Sequence, residues 1–225
     1  MIVLTPNECR VLGTLVEKAQ TTPNQYPLTL NSLTTGCNQK NNRDPVTELS
    51  EDEVLDTIDS LKVKGLAREA MLSGSRVNKF RHVAREALSV SLPELAILTE
   101  LLLRGPQSVG ELRTRCERLV PPGSGADLST TDAVQAALDA LAKREAPMVR
   151  RLERRPGERA ERYVQLLCPD LHPLDASPAH SGAERSPRGE YAEVDAAGVA
   201  ALLERIEDMA RRIEALESRL ARLEG

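Results

Sequence analysis

Residues 50–65 read SEDEVLDTIDSLKVKG, and residues 130–145 read TTDAVQAALDALAKRE, the same pattern repeated 80 positions on. Val54, Ile58 and Leu61 fall on Val134, Leu138 and Leu141, while Asp52 and Asp59 fall on Asp132 and Asp139. Apolar residues at this three-to-four spacing form the buried stripe of a helix. Each helix is followed by two runs of strand length. The first pair is LAREAML (66–72) and RVNKFRHV (76–83) about Gly74; the second is PMVRRLERR (147–155) and ERAERYVQLL (158–167) about Pro156-Gly157. Turn residues between such runs predict a hairpin.

Upstream, the duplication continues. TPNECRVLGTLVEKA (5–19) has Thr5 as N-cap, Pro6 at the first helical position and Glu8 closing a capping box. Its counterpart SLPELAILTELLLR (91–104) repeats the box with Ser91 and Glu94. TLNSLTTGCNQ (29–39), with Leu30, Leu33 and Cys37, matches SVGELRTRCERL (108–119), with Val109, Leu112 and Cys116. Three helices and a hairpin, twice in the same order, predict a mainly α fold with small β-hairpins (α+β): two tandem winged helix-turn-helix domains. Their bounds are residues 1–86 and 87–168.

Composition bounds the function. The chain has 225 residues with 40% hydrophobic, 28% charged and only 2% aromatic side chains. So few rings argue against base-stacking platforms and aromatic-rich sandwiches. The net charge of −4 is unevenly spread. Residues 1–86 carry 11 basic and 11 acidic groups, residues 87–168 carry 12 and 11, and residues 169–225 carry 7 and 12. Without an apolar run long enough to span a bilayer or a signal-like start, a cytoplasmic protein with no membrane partner is expected. Cys9, Cys37, Cys116 and Cys168 lie far apart, as do His82, His172 and His180. That spacing suggests buried thiols in a reducing compartment, and no metal, no cofactor and no catalytic site.

Residues 169–192 are rich in Pro, Ser, Ala and Gly and read as a flexible linker. Residues 193–225 then read as a coiled-coil helix. Val199, Leu202, Ile206, Met209, Ile213, Leu216, Leu220 and Leu223 alternate spacings of three and four. β-Branched residues dominate one core position and Leu or Met the other, which suits a parallel pair and hence a homodimer. Arg212 would then face Glu217 of the partner, and Arg219 would face Glu224. A helix docked on its own body would use the same stripe.

Several of these stretches carry a resemblance to the YceH-like family of bacterial proteins: TPNQYPLTLNSLTTGCNQKNNRDPVTE (22–48), SGSRVNKFRHV (73–83), RGPQSVGELRTRCERL (104–119) and PGERAERYVQLL (156–167). The resemblance covers roughly residues 3–168 and is most specific from Tyr26 to Val46. It implies tandem winged helices and no catalytic residues, and many members resemble this chain in ending with a heptad helix. Ser32 stands where Ala is usual, and Asn78 where Pro is usual.

Two functional readings follow. In a winged helix the third helix enters the major groove. In the first unit that helix opens with Glu51, Asp52 and Glu53, which repel phosphates. In the second it offers Thr130, Thr131, Gln135 and Lys143, beside a hairpin with Arg150, Arg151, Arg154, Arg155, Arg159 and Arg162. Glu153, Glu158 and Glu161 are interleaved, so cross-strand pairing on a solvated face is the alternative. Arg113, Arg115 and Arg118 extend the basic patch, and the loop Asn38–Pro45 adds Lys40 and Arg43 as candidate readers, or else serves as a helix connection. Either the protein binds double-stranded DNA as a regulator dimerised by its tail, or it is a scaffold whose winged helices bind another protein.

Overall fold

The computed structural model describes residues 2–70, 77–121, 123–153 and 160–172. Seven helices and six strands occur among them, and the duplication is visible element by element. The first unit runs α1 (Pro6–Thr21), β1 (Leu28–Thr29), α2 (Leu30–Cys37), α3 (Glu51–Val63), β2 (Ala67–Ala70) and β3 (Lys79–His82). A single turn, α4 (Ala84–Ala87), leads to the second unit: α5 (Leu92–Arg104), β4 (Gln107–Ser108), α6 (Val109–Cys116), α7 (Thr131–Ala142), β5 (Val149–Leu152) and β6 (Arg162–Gln165).

Local chemistry starts the helices. Thr5, Ser50, Ser91 and Ser108 each close a reciprocal capping box with Glu8, Glu53, Glu94 and Glu111. Thr29 and Thr130 cap α2 and α7 through one side-chain bond each. Such a cap contributes about 1 kcal/mol by satisfying amide donors that the helix leaves free.

Each hairpin gains a third strand that the sequence pattern does not announce. β1 pairs with β3, giving the order β1-β3-β2, and β4 pairs with β6, giving β4-β6-β5; all pairings are antiparallel. The order of helix, strand, helix, helix and hairpin, with the short strand added to the hairpin, is the arrangement expected of a winged helix. The expected turns at Gly74 and Pro156-Gly157 lie outside the described residues, as does the coiled-coil seam from Val199 to Leu223.

The units share one core. α1 lies against α5, and Leu12, Leu15, Leu33, Ile58 and Leu61 belong to the same buried cluster as Ile97, Leu98, Leu101, Leu112 and Leu138. Gly13 allows the helices to close: a Cβ there would stand 2.8 Å from Cγ of Leu103. Backbone bonds cross the joint, from Leu4 N–H to the Leu167 carbonyl (2.7 Å) and from Asp44 N–H to the Leu103 carbonyl (2.8 Å). Residues 169–172, expected to open the linker, belong to the folded body. Leu171 packs on the core, and buried His172 meets the Asp44 carbonyl through Nε2 at 3.1 Å.

Candidate nucleic-acid interface

In the second unit, α7 buries Val134, Ala137, Leu138 and Leu141 and leaves Thr131, Asp132 and Ala136 exposed. Gln135 is half-buried, because its amide donates to the Tyr163 hydroxyl (3.0 Å) and to Asp139 Oδ1 (2.8 Å). Tyr163 sits on β6, so this pair fixes the angle between helix and hairpin. Lys143, at the C-cap, is exposed and pairs with Asp139 at 3.5 Å.

On β5, Arg150 and Arg151 are both exposed. Arg151 pairs with Glu161 across the hairpin at 3.2 Å, as the interleaved charges suggested, whereas Arg150 has no ion-pair or hydrogen-bond partner among the described residues. Arg154, Arg155 and Arg159 lie outside the described residues. Arg162 is half-buried and donates to the Pro106 carbonyl (3.0 Å). Arg113 is exposed and reaches the Ser129 carbonyl (3.2 Å) just before α7, bringing it to the same edge. Arg115, half-buried, instead donates to Gln107 Oε1 at 2.5 Å.

The corresponding surface of the first unit has the opposite character. α3 carries five carboxylates, Glu51, Asp52, Glu53, Asp56 and Asp59, against one cation, Lys62, and all six are exposed. Its exposed side also includes Leu55 and Val63, the latter 89% exposed.

The polar loop after α2 is a fastener. Asn38 clamps Leu49 in both directions: its amide donates to the Leu49 carbonyl (2.7 Å), and its oxygen accepts from Leu49 N–H (2.8 Å). Asn42 takes a left-handed backbone (φ 63°), a conformation asparagine tolerates. Arg43, expected as a candidate reader of DNA, is buried instead. Its side chain has no exposed surface, and its guanidinium donates to Glu17 Oε2 at 2.6 Å and to the Gly36 carbonyl at 2.9 Å. It cannot reach a phosphate from there. Lys40 remains exposed. Arg10 donates to the Pro45 carbonyl, adding another tie between loop and helix.

Arg118 also leaves the expected basic patch. It turns to the joint between units, 3.5 Å from Glu17 Oε1 and 3.1 Å from Glu100 Oε1, while Arg104 lies 2.9 Å from Glu100 Oε2. Burial raises the Glu17 carboxyl, but Arg43, with Lys18 and Arg118, holds it below the ordinary glutamate range. Apart from Glu100 and Arg104, four residues apart on α5, this network was hidden in the sequence, because its members lie far apart in the chain and carry no shared period.

All four cysteines are free and buried, and burial pushes the thiols of Cys9, Cys37 and Cys116 up, Cys37 to about 11. Among the described residues no cluster of three or more His, Cys, Asp or Glu could hold a metal ion, and no helix is long and apolar enough to cross a membrane.

Residues 4–158, spanning both units from α1 to the second hairpin, match the family described as "Protein of unknown function, DUF480". The chain belongs to the DUF480 family. The YceH-like resemblance fits this assignment. The chain is similar to the UPF0502 protein GSU0233 of Geobacter sulfurreducens, at 52% identity over 81% of each chain. It is also similar to a UPF0502 protein of Shewanella pealeana, at 46% identity over 86% of this chain and 89% of that one. The UPF0502 protein Bcep1808_3727 of Burkholderia vietnamiensis is 44% identical over 97% of this chain and 88% of its own. With that coverage, the likeness within the DUF480 family extends beyond the two described units into the C-terminal segment.

Proposed function

We propose that the protein binds double-stranded DNA through its second unit, without being an enzyme, and acts as a regulatory or architectural factor. The observation that carries this reading is the contrast between two copies of one fold. One third helix is strongly acidic; the other presents Thr130, Thr131 and Lys143 beside a hairpin whose Arg150 is free of any described partner. With α7 in a major groove, the hairpin lies beside the sugar–phosphate backbone, where guanidinium groups position the protein without reading sequence. Arg113 at the edge of α7 extends that contact. Arg154, Arg155 and Arg159 join the proposal by their place in the sequence, as do Gln135 and Arg115, whose present bonds orient the helix and strand. The seam from Val199 to Leu223 would pair two chains and so two such surfaces.

A mobility-shift titration on genomic fragments at two salt concentrations tests the reading. Affinity should fall steeply with added salt, because each neutralised phosphate releases counterions. Absence of any salt-sensitive binding would reject it. The second reading, a protein-binding scaffold, has one observation in its favour: the exposed acidic face of α3 with Leu55 and Val63, a surface suited to a basic protein partner and not to DNA.

A further inference from the structure

A cleft of about 420 Å³ opens where the first hairpin meets α4 and the start of α5. Arg68, Arg81 and Arg85 line it, with Glu86 as the one carboxylate; Val83, Leu92 and Leu95 supply apolar surface. Arg68 and Arg81 are directly opposite each other in the β2–β3 register. Like charges so placed disfavour the strand pairing. None of the three guanidiniums has a hydrogen-bond or ion-pair partner among the described residues, although acidic side chains are plentiful in this unit. Three cations against one anion leave an excess of two positive charges around a concave surface.

We propose that this cleft binds a small phosphate monoester with an apolar body. A phosphate monoester carries close to two negative charges at neutral pH, and planar guanidinium forks match its oxygens. The apolar body would lie on Val83, Leu92 and Leu95. His82, also at the cleft, is held towards its neutral form by burial and adds no standing charge. The recess, with Val83, Leu92 and Leu95 in its lining, gives an apolar body a seat that a sugar–phosphate backbone would not use. The cleft takes residues from both units, from Gln20 at the end of α1 to Leu95 on α5, so a bound ligand would touch both sides of the joint.

Calorimetric titration of the full chain with phenyl phosphate, inorganic phosphate, phthalate and phenol is the test. Phenyl phosphate should saturate one site, about tenfold tighter than inorganic phosphate, with phenol not binding. Arg68→Gln and Arg81→Gln should each weaken phenyl phosphate by roughly tenfold. The same variants, measured without ligand, should melt no lower than the parent, since each relieves a like-charge pair. No saturable heat with phenyl phosphate would overturn the proposal, and phthalate binding equally well would overturn the assignment to phosphate. If the variants lose duplex DNA binding but keep phenyl phosphate, these arginines are a DNA contact and the cleft proposal falls, independently of the second unit's role.

Discussion

Arg43 Nη2 stands 2.6 Å from Glu17 Oε2, joining the polar loop after α2 to the middle of α1, with the arginine side chain wholly out of solvent. A guanidinium so placed has exchanged water for one carboxylate and a few carbonyls. Removing either partner leaves the other charge buried and uncompensated.

Arg43→Ala should therefore destabilise the fold by about 3–5 kcal/mol. Lys40→Ala, three residues away on the same loop but exposed, should fall within ~0.5 kcal/mol of the parent. Urea unfolding midpoints of the two variants measure the difference. An Arg43 variant of full stability would mean that the side chain is at the surface in solution and makes no buried pair.

Acid should weaken the ties that α1 makes through Glu8 and Glu17. Burial raises the Glu8 carboxyl, but Lys64 (2.6 Å), Ser60 (2.7 Å) and the Thr5 backbone together hold it below its ordinary value of 4.5, and Glu17 is depressed likewise. A depressed carboxyl contributes stability that is complete above its unfolded-state pKa and is lost as pH falls through the folded one. The loss should set in from pH 4.5 downward. Glu8→Gln should flatten the stability–pH curve in that window, as read by denaturant midpoints across an acid series.

Helix approach supplies a steric prediction. Gly13 faces Leu103 so closely that Gly13→Val should cost about 1–3 kcal/mol through overpacking between the units. Gly110→Ala, in the first turn of α6, is the control, since a Cβ there meets nothing within 4 Å and a helical position gains from losing a glycine. Thermal melts of both variants should move in opposite directions.

The helices and hairpins were legible because their signals are local: capping boxes, a buried stripe, a turn between two short runs. β1 and β4 were not, since two residues such as Leu28–Thr29 or Gln107–Ser108 are too few to show an alternation. The joint was opaque for another reason. α1 is buried without a break from Glu8 to Glu17, including Arg10 and Thr14, so its polar residues read as a solvent face when they are enclosed by α5 and the Asn38–Pro45 loop. Residue type places Arg43 and Arg118 at the surface; Arg43 is buried on Glu17 instead, while Arg118 is exposed but drawn to Glu17 and Glu100, partners that only the tertiary fold supplies.

Charge reversal tests the DNA reading. Arg150→Glu with Arg151→Glu should weaken duplex binding and flatten the slope of log affinity against log salt by roughly 0.9 per lost phosphate contact. Both sites are exposed, so the double variant should melt close to the parent. Binding that survives this reversal, and the companion reversal of Arg154, Arg155 and Arg159, would place the contact elsewhere.

The tail carries the assembly prediction. Removing residues 192–225 should lower the mass measured by light scattering to that of one chain and leave the thermal transition of the body unchanged. A full-length protein that is already a single chain at tens of micromolar would refute the pairing.

The enclosed helix α1 has one more consequence. With α1 held against α5, and Arg118 gripping a carboxylate from each, the span between the two hairpins is set by a solid joint and not by the length of a tether. The pair works as a gauge of fixed opening. Any partner that touches both ends must match that opening, and lengthening the connection between α4 and α5 would leave the measure unchanged while the joint holds.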